Sequence, residues 1–249
     1  MNQVRPVFVL VSLMGILLFG CASPHGQPAR DSEVLAPNQV LNFATLYAEN
    51  CAACHGAEGR GGAAIALANS VYLAIADDEV IRKVITSGSK GTAMAAFAQS
   101  AGGMLTDEQI SVITKGIRSH WDKHAFLYAD AVPSYAPKSA GDIRRGDVAY
   151  KTFCESCHGP DGTGTHKGSA ITNDSFLALV NDQELRTIVI TGRPELGAPD
   201  WRGNVPGRPM SDQEITDVVA WLASHRVQNP GQPYLISNYA QPEESKDVR

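Results

Sequence analysis

The sequence predicts an all-α fold built as two tandem units, and three observations carry that prediction. Apolar residues recur at helical spacing behind helix-start signals, strand-like alternation is absent, and the second half of the chain repeats the first. The repeat is read by setting Cys51-Ala-Ala-Cys54-His55-Gly56 on Cys154-Glu-Ser-Cys157-His158-Gly159. Tyr47 then falls on Tyr150, Gly59 on Gly162 and Gly61 on Gly164. After a one-residue insertion Asn69 meets Asn173, Leu73 meets Leu177, Arg82 meets Arg186 and Gly88 meets Gly192. A second insertion brings Thr106–Ile110 onto Ser211–Ile215.

In chain order, Val7 to Gly20 is an apolar run preceded by Arg5, too short to span a bilayer as a helix but suited to a signal peptide. It ends Leu18-Phe19-Gly20-Cys21-Ala22-Ser23, which resembles a bacterial lipobox with Cys21 as the lipidated residue. A plain signal peptide cut near Ala22 and an uncleaved anchor are the alternatives, and each sends the remainder across a membrane. Residues 1–20 are therefore expected to be signal peptide and the Pro-rich, polar 21–37 a tether. The first unit is drawn over 38–125, a linker with Pro133 and Pro137 over 126–141, and the second unit over 142–228. A Pro-rich tail follows over 229–249.

Within the units, Thr106 with Gln109 and Ser211 with Glu214 form capping-box patterns at the start of a last helix. Behind them Ile110, Ile113 and Ile117, and likewise Ile215, Val218 or Val219, and Leu222, recur at helical spacing. Asp77 to Ser87 and Asn181 to Thr191 read as a middle helix in each copy, stopped by Gly88 and Gly192.

Composition narrows the function. The chain is 43% hydrophobic and 19% charged, which is globular rather than disordered. Its net charge is −5, with no basic run to follow a phosphate backbone, so no nucleic-acid partner is expected. The five cysteines are Cys21, Cys51, Cys54, Cys154 and Cys157, and each has a separate assignment.

Cys-x-x-Cys-His sets two thiols on one helical turn with an imidazole behind them. The thiols can add to the two vinyl groups of haem as thioethers, and the histidine can then bind iron. A thioredoxin-like motif would need a βαβ context, which is missing. A zinc site would not divide its pairs between two repeated units a hundred residues apart. Two such motifs in register predict two covalently bound haems c, attached at Cys51, Cys54, Cys154 and Cys157 and ligated by His55 and His158. Haem would also fill cores that are thin in units of this size.

At these residues the chain resembles the small monohaem class of c-type cytochromes, duplicated in tandem, over about 38–125 and 142–228. The resemblance implies, for each copy, a few helices wrapped around one haem, with an N-terminal helix that ends at the motif and crosses the C-terminal helix. The crossing often uses Gly-x-x-x-aromatic, present as Gly146 to Tyr150 with Trp221 as its partner, whereas Phe43 replaces the glycine in the first unit. Tyr47, Tyr150 and Trp221 are otherwise read as core packing.

The resemblance also implies a methionine sixth ligand before the last helix. Met94, in Met94-Ala95-Ala96-Phe97, takes that place in the first unit, ahead of Met104. In the second unit the aligned residue is Ala198, which cannot ligate. Met210 is assigned instead, with His166, Lys167 or an open iron as alternatives. His25, His120, His124 and His225 are read as solvated or helix-end residues.

The implied function is electron transfer by a membrane-anchored dihaem cytochrome c, not an enzyme by itself. It would be held on the periplasmic side of a bacterial membrane or at the cell surface. The partners implied are redox proteins: a membrane dehydrogenase, a quinol-oxidising complex, or a terminal oxidase or reductase. The alternatives are a haem enzyme or sensor with an open second iron, and a cytochrome subunit of a larger membrane oxidoreductase.

Overall fold

The computed structural model describes residues 35–121 and 132–228. The signal segment, Cys21, His25, most of the tether, His124 and the tail from residue 229 lie outside the described residues. By contacts the chain divides after Gln39. The described part of the unit before that point is one 3-10 turn, Pro37–Gln39, whose Gln39 side chain accepts the Ala36 amide. Both repeats lie in the unit that follows.

Ten α-helices occur among the described residues, and no strands; two isolated bridges, Ala98 with Leu105 and Arg193 with Ala198, are the only β pairing there. The first repeat holds α1 (Phe43–Asn50), α2 (Ala52–His55), α3 (Ser70–Ile75), α4 (Asp78–Ser87) and α5 (Asp107–Trp121). The second holds α6 (Ile143–Phe153), α7 (Glu155–His158), α8 (Asp174–Leu179), α9 (Asp182–Thr191) and α10 (Asp212–Ala223).

Polar side chains start these helices. Asn42, Asn69, Asp77, Asp142, Asn173 and Asn181 each accept an otherwise orphaned first-turn amide. Both expected capping boxes form: Thr106 with Gln109, and Ser211 with Glu214. Gly88 and Gly192 end α4 and α9 with φ of 70° and 62°, a conformation that a side chain would strain.

Each repeat has its own apolar core. Leu46, Tyr47, Ile81, Ile110, Ile113 and Ile117 lie in the first, and Tyr150, Phe153, Trp201, Met210, Ile215 and Val218 in the second. Val71 and Ile75 of α3 pack into the second core, so the repeats share apolar surface. The linker is fixed as well. Arg186, 1% exposed, donates to the Ser134 and Tyr135 carbonyls and to Thr216, and pairs with Asp212. The Tyr135 ring meanwhile packs against the first core.

The N- and C-terminal helices cross in both repeats, with different contacts. In the second, a methyl group on Gly146 would lie 2.1 Å from the Asp217 carbonyl, so only glycine lets α6 approach α10 this closely. Tyr150 stacks on Trp221 there, with ring centroids 4.0 Å apart. In the first repeat the small residue is Gly116, on α5, against the Phe43 ring of α1.

Candidate haem sites

The site begins where α1 stops. Cys51 breaks the helix and starts a new turn, and the amides of Cys54 and His55 both donate to its carbonyl, at 3.2 and 3.0 Å. The turn at Cys154 repeats this, with Cys157 and His158 at 3.1 and 2.9 Å. Two thiols and an imidazole thus share one turn in each repeat. The first thiol is half-buried against the core, and the second is exposed.

Both motif histidines are oriented by backbone. His55 Nδ1 lies 2.8 Å from the Ile65 carbonyl, and His158 Nδ1 lies 2.7 Å from the Ser169 carbonyl. A carbonyl can only accept, so Nδ1 carries the proton and Nε2 is the basic nitrogen. Burial lowers the His55 pKa, opposed by the bond to Ile65, which favours the neutral imidazole that a metal needs.

The loops behind the motifs are built to reach those nitrogens. Gly56 and Gly159 turn the chain with φ of 84° and 82°. The Tyr47 hydroxyl donates to the Gly56 carbonyl at 2.7 Å, and Tyr150 repeats the bond to Gly159 at 2.5 Å. These tyrosines therefore do more than the core packing read from sequence: they tie the N-terminal helix to the turn that follows the histidine. Gly62 backs onto the first motif so closely that a methyl group would sit 2.1 Å from the Cys54 carbonyl.

The thiol chemistry separates the candidate cofactors. Burial first, and the neighbouring Cys54 second, push the Cys51 thiol up to about 11; burial and Cys157 push Cys154 to about 12. A thiol–disulfide catalyst needs the opposite shift. Among the described residues no three His, Cys, Asp or Glu side chains gather to hold a metal ion by themselves. The donor set of two thiols on a turn, with an imidazole presenting Nε2, fits covalent haem.

The sixth-ligand candidates occupy different settings. Met94 is half-buried in a loop closed by its own hydrogen bonds: Ser89 N donates to the Met94 carbonyl at 2.9 Å, and Met94 N to Thr92 Oγ1 at 3.0 Å. Gly88 abuts the Met94 carbonyl as Gly192 abuts that of Ala198, each 2.7 Å from the methyl position. Ala198 thus stands where Met94 does. Met210 is 3% exposed within the second core, and its amide donates to the Trp201 carbonyl as that of Leu105 does to Phe97. Its sulfur meets Asn204 Nδ2 at 4.0 Å, a contact the sequence does not signal. Met104 is 80% exposed, and His166 and Lys167 are exposed in their loop. His225 Nδ1 meets the Trp221 carbonyl at the end of α10, a helix-end role.

The model of the family described as cytochrome c oxidase, cbb3-type, subunit III matches residues 38–115 and again 141–222. The chain belongs to this family. Its two cytochrome c segments fit two covalently bound haems c. Among curated relatives, the cbb3-type cytochrome c oxidase subunit CcoP of Azospirillum sp. (strain B510) is 32% identical over 53% of this chain and 45% of its own length. CcoP of Rubrivivax gelatinosus is 29% identical over 62% and 44%. Subunit FixP of Sinorhizobium medicae (strain WSM419) is 25% identical over 68% and 58%. The chain therefore spans about half the length of the curated relatives it matches. A solved chain of the Kuenenia stuttgartiensis reducing HAO-like protein complex aligns over 78% of this chain and all of its own, at 18% identity and a TM-score of 0.46. No described helix is long and apolar enough to cross a membrane.

Proposed function

We propose that the chain carries electrons as a two-haem cytochrome c module serving a terminal oxidase. The observation behind this is the twin geometry of the motifs, in which each histidine is held by a loop carbonyl with Nε2 as the basic nitrogen. In this reading Cys51, Cys54, Cys154 and Cys157 attach the haems, and His55 and His158 ligate iron. Bound haem supplies the one-electron chemistry; the chain's residues orient the imidazoles, exclude water and keep each haem near a partner.

Met94 is the proposed sixth ligand of the first haem. Met210 is proposed for the second, supported by its buried sulfur and by Cys154 packing against the same core. A second reading, an open second iron that binds a small ligand, draws on Ala198 standing where Met94 stands.

The partner class follows from the relatives, three of which are named as subunits of cbb3-type oxidases. A membrane dehydrogenase or quinol-oxidising complex would supply the electrons. Lipidation at Cys21 would anchor the chain on the periplasmic side of a bacterial membrane or at the cell surface, and Cys21→Ser is then expected to release it from the membrane fraction.

Rapid mixing of the reduced, matured chain with a detergent-solubilised cbb3-type oxidase tests the reading. Oxidation of both haems within the oxidase turnover time is expected; a chain that stays reduced overturns it. Carbon monoxide added to the reduced chain separates the two readings of the second iron. An unchanged spectrum supports Met210, and a shift in about half the haem absorbance supports the open site.

A further inference from the structure

The two repeats differ in what grips their ligand loops from outside. Two asparagines serve both as helix caps and as cross-links between repeats. Asn69 caps α3 with its side-chain oxygen, while its amide donates to the Thr191 carbonyl of the second repeat at 3.1 Å. Asn181 caps α9 with its oxygen, at 2.8 Å from Glu184 N. Its amide reaches into the first repeat, to Ser89 Oγ at 3.0 Å and the Lys90 carbonyl at 2.9 Å. The aligned residues Asp77 and Asn173 cap their own helices in the same way, but among the described residues neither bonds to the other repeat.

Ser89 and Lys90 are the foot of the Met94 loop. The Ser89 amide bonds the Met94 carbonyl, and Thr92 folds back onto the Ser89 carbonyl through both its amide and its hydroxyl. A grip on Ser89 and Lys90 is therefore a grip on the backbone that presents Met94. Arg193, at the matching place in the second repeat, reaches the loop behind the first motif. It donates to the Gly62 carbonyl at 2.8 Å and to that of Ala63 at 3.3 Å, in the loop that backs onto Cys54.

We propose that the second repeat controls how firmly the first iron keeps its methionine, with Asn181 as the positioning residue that latches the Met94 loop. The inference rests on Met94 being the sixth ligand. Withdrawing the backbone that carries Met94 by moving loop 89–94 as a body would break both amide bonds from Asn181. The coupling is reciprocal, as linkage requires: whatever loosens α9 loosens the Met94 loop, and the reverse.

Asn181→Ser separates the two roles, since serine caps a helix nearly as well but is too short to reach Lys90. In the full matured chain, the Ser89 amide is expected to exchange its hydrogen about tenfold faster, from the loss of two hydrogen bonds. The ferric methionine–iron absorption band is expected to bleach at lower pH, and the reduced first haem to bind carbon monoxide faster. Ser89→Ala, which leaves α9 untouched, should move the same readouts in the same direction. Unchanged exchange at the residue-89 amide in both variants overturns the proposal, and so does faster exchange with an unchanged methionine band. Met94→Ala identifies a failure of the ligand assignment itself, because in that case the band persists without Met94.

Discussion

Phe43 packs its ring on Gly116, where a methyl group would lie 2.0 Å from the ring, and the aligned pair in the second repeat is Gly146 against Trp221, with the large and small residues exchanged between helices. A crossing of two helices needs one bulky side chain and one gap to receive it. Which helix supplies which is free, and the two repeats made opposite choices. Aromatic contacts follow the bulk: Trp121 meets both Phe43 and Tyr47 edge-on in the first repeat, while Tyr150 stacks on Trp221 in the second.

Gly116→Ala is accordingly expected to destabilise the first repeat by about 2 kcal/mol, because the ring must leave its site. Phe43→Ala should cost stability alone yet offset part of the Gly116→Ala loss. Thermal unfolding of the two single variants and the double variant measures that coupling.

The C-terminal helices are tied down by arginines that align to different positions. Arg118 donates to Asp78 and to the carbonyls of Leu73 and Ala76; Arg226 donates to Asp182 and to those of Leu177 and Val180. The acceptors match residue for residue, but the arginines lie three residues apart in register, one within α5 and one beyond the end of α10. Arg226→Ala is expected to cost about 2 kcal/mol, chiefly from carbonyls left without donors, and Arg226→Lys to recover less than half of it. Urea unfolding of the matured chain checks both.

How much could be read from the sequence divides along the same line. The motifs, the capping boxes of Thr106 and Ser211, and the two middle helices are local signals that act through neighbours in sequence, and all were legible. Gly116 was not, because its role depends on a ring 73 positions earlier in the chain that has no fixed spacing from it. Arg118 and Arg226 were hidden by their register shift. Asn69 and Asn181 already had a sufficient local role as caps, which gave no reason to look for a second. The carbonyls of Ile65 and Ser169 carry no side-chain signal at all.

Asp217 gives the fold a pH dependence. Its carboxylate is buried, which pushes its pKa up, but bonds from Arg145, the Asp142 amide and Gln213 outweigh this and leave it below the usual value. A carboxylate held lower when folded than when unfolded stabilises the fold above the unfolded value near pH 4, and that contribution disappears as pH falls through the native one. Asp217→Asn should therefore lower stability at pH 7 by about 2 kcal/mol and flatten the fall below pH 4. Chemical unfolding at a series of pH values reads both effects.

Tyr150→Phe removes the bond to the Gly159 carbonyl and leaves the stack on Trp221. A loss of about 1 kcal/mol is expected, together with faster hydrogen exchange at Gly162, whose amide donates to that same carbonyl. Exchange at α10 should stay unchanged.

The most direct measurement is the intact mass of the chain, matured with its haem-attachment machinery and then denatured. Two covalent haems are predicted, falling to one in Cys51→Ser/Cys54→Ser and to one in Cys154→Ser/Cys157→Ser, with each remaining haem still ligated by its own histidine. A matured chain that carries no covalent haem, or that keeps two when either cysteine pair is removed, would contradict the assignment of both sites.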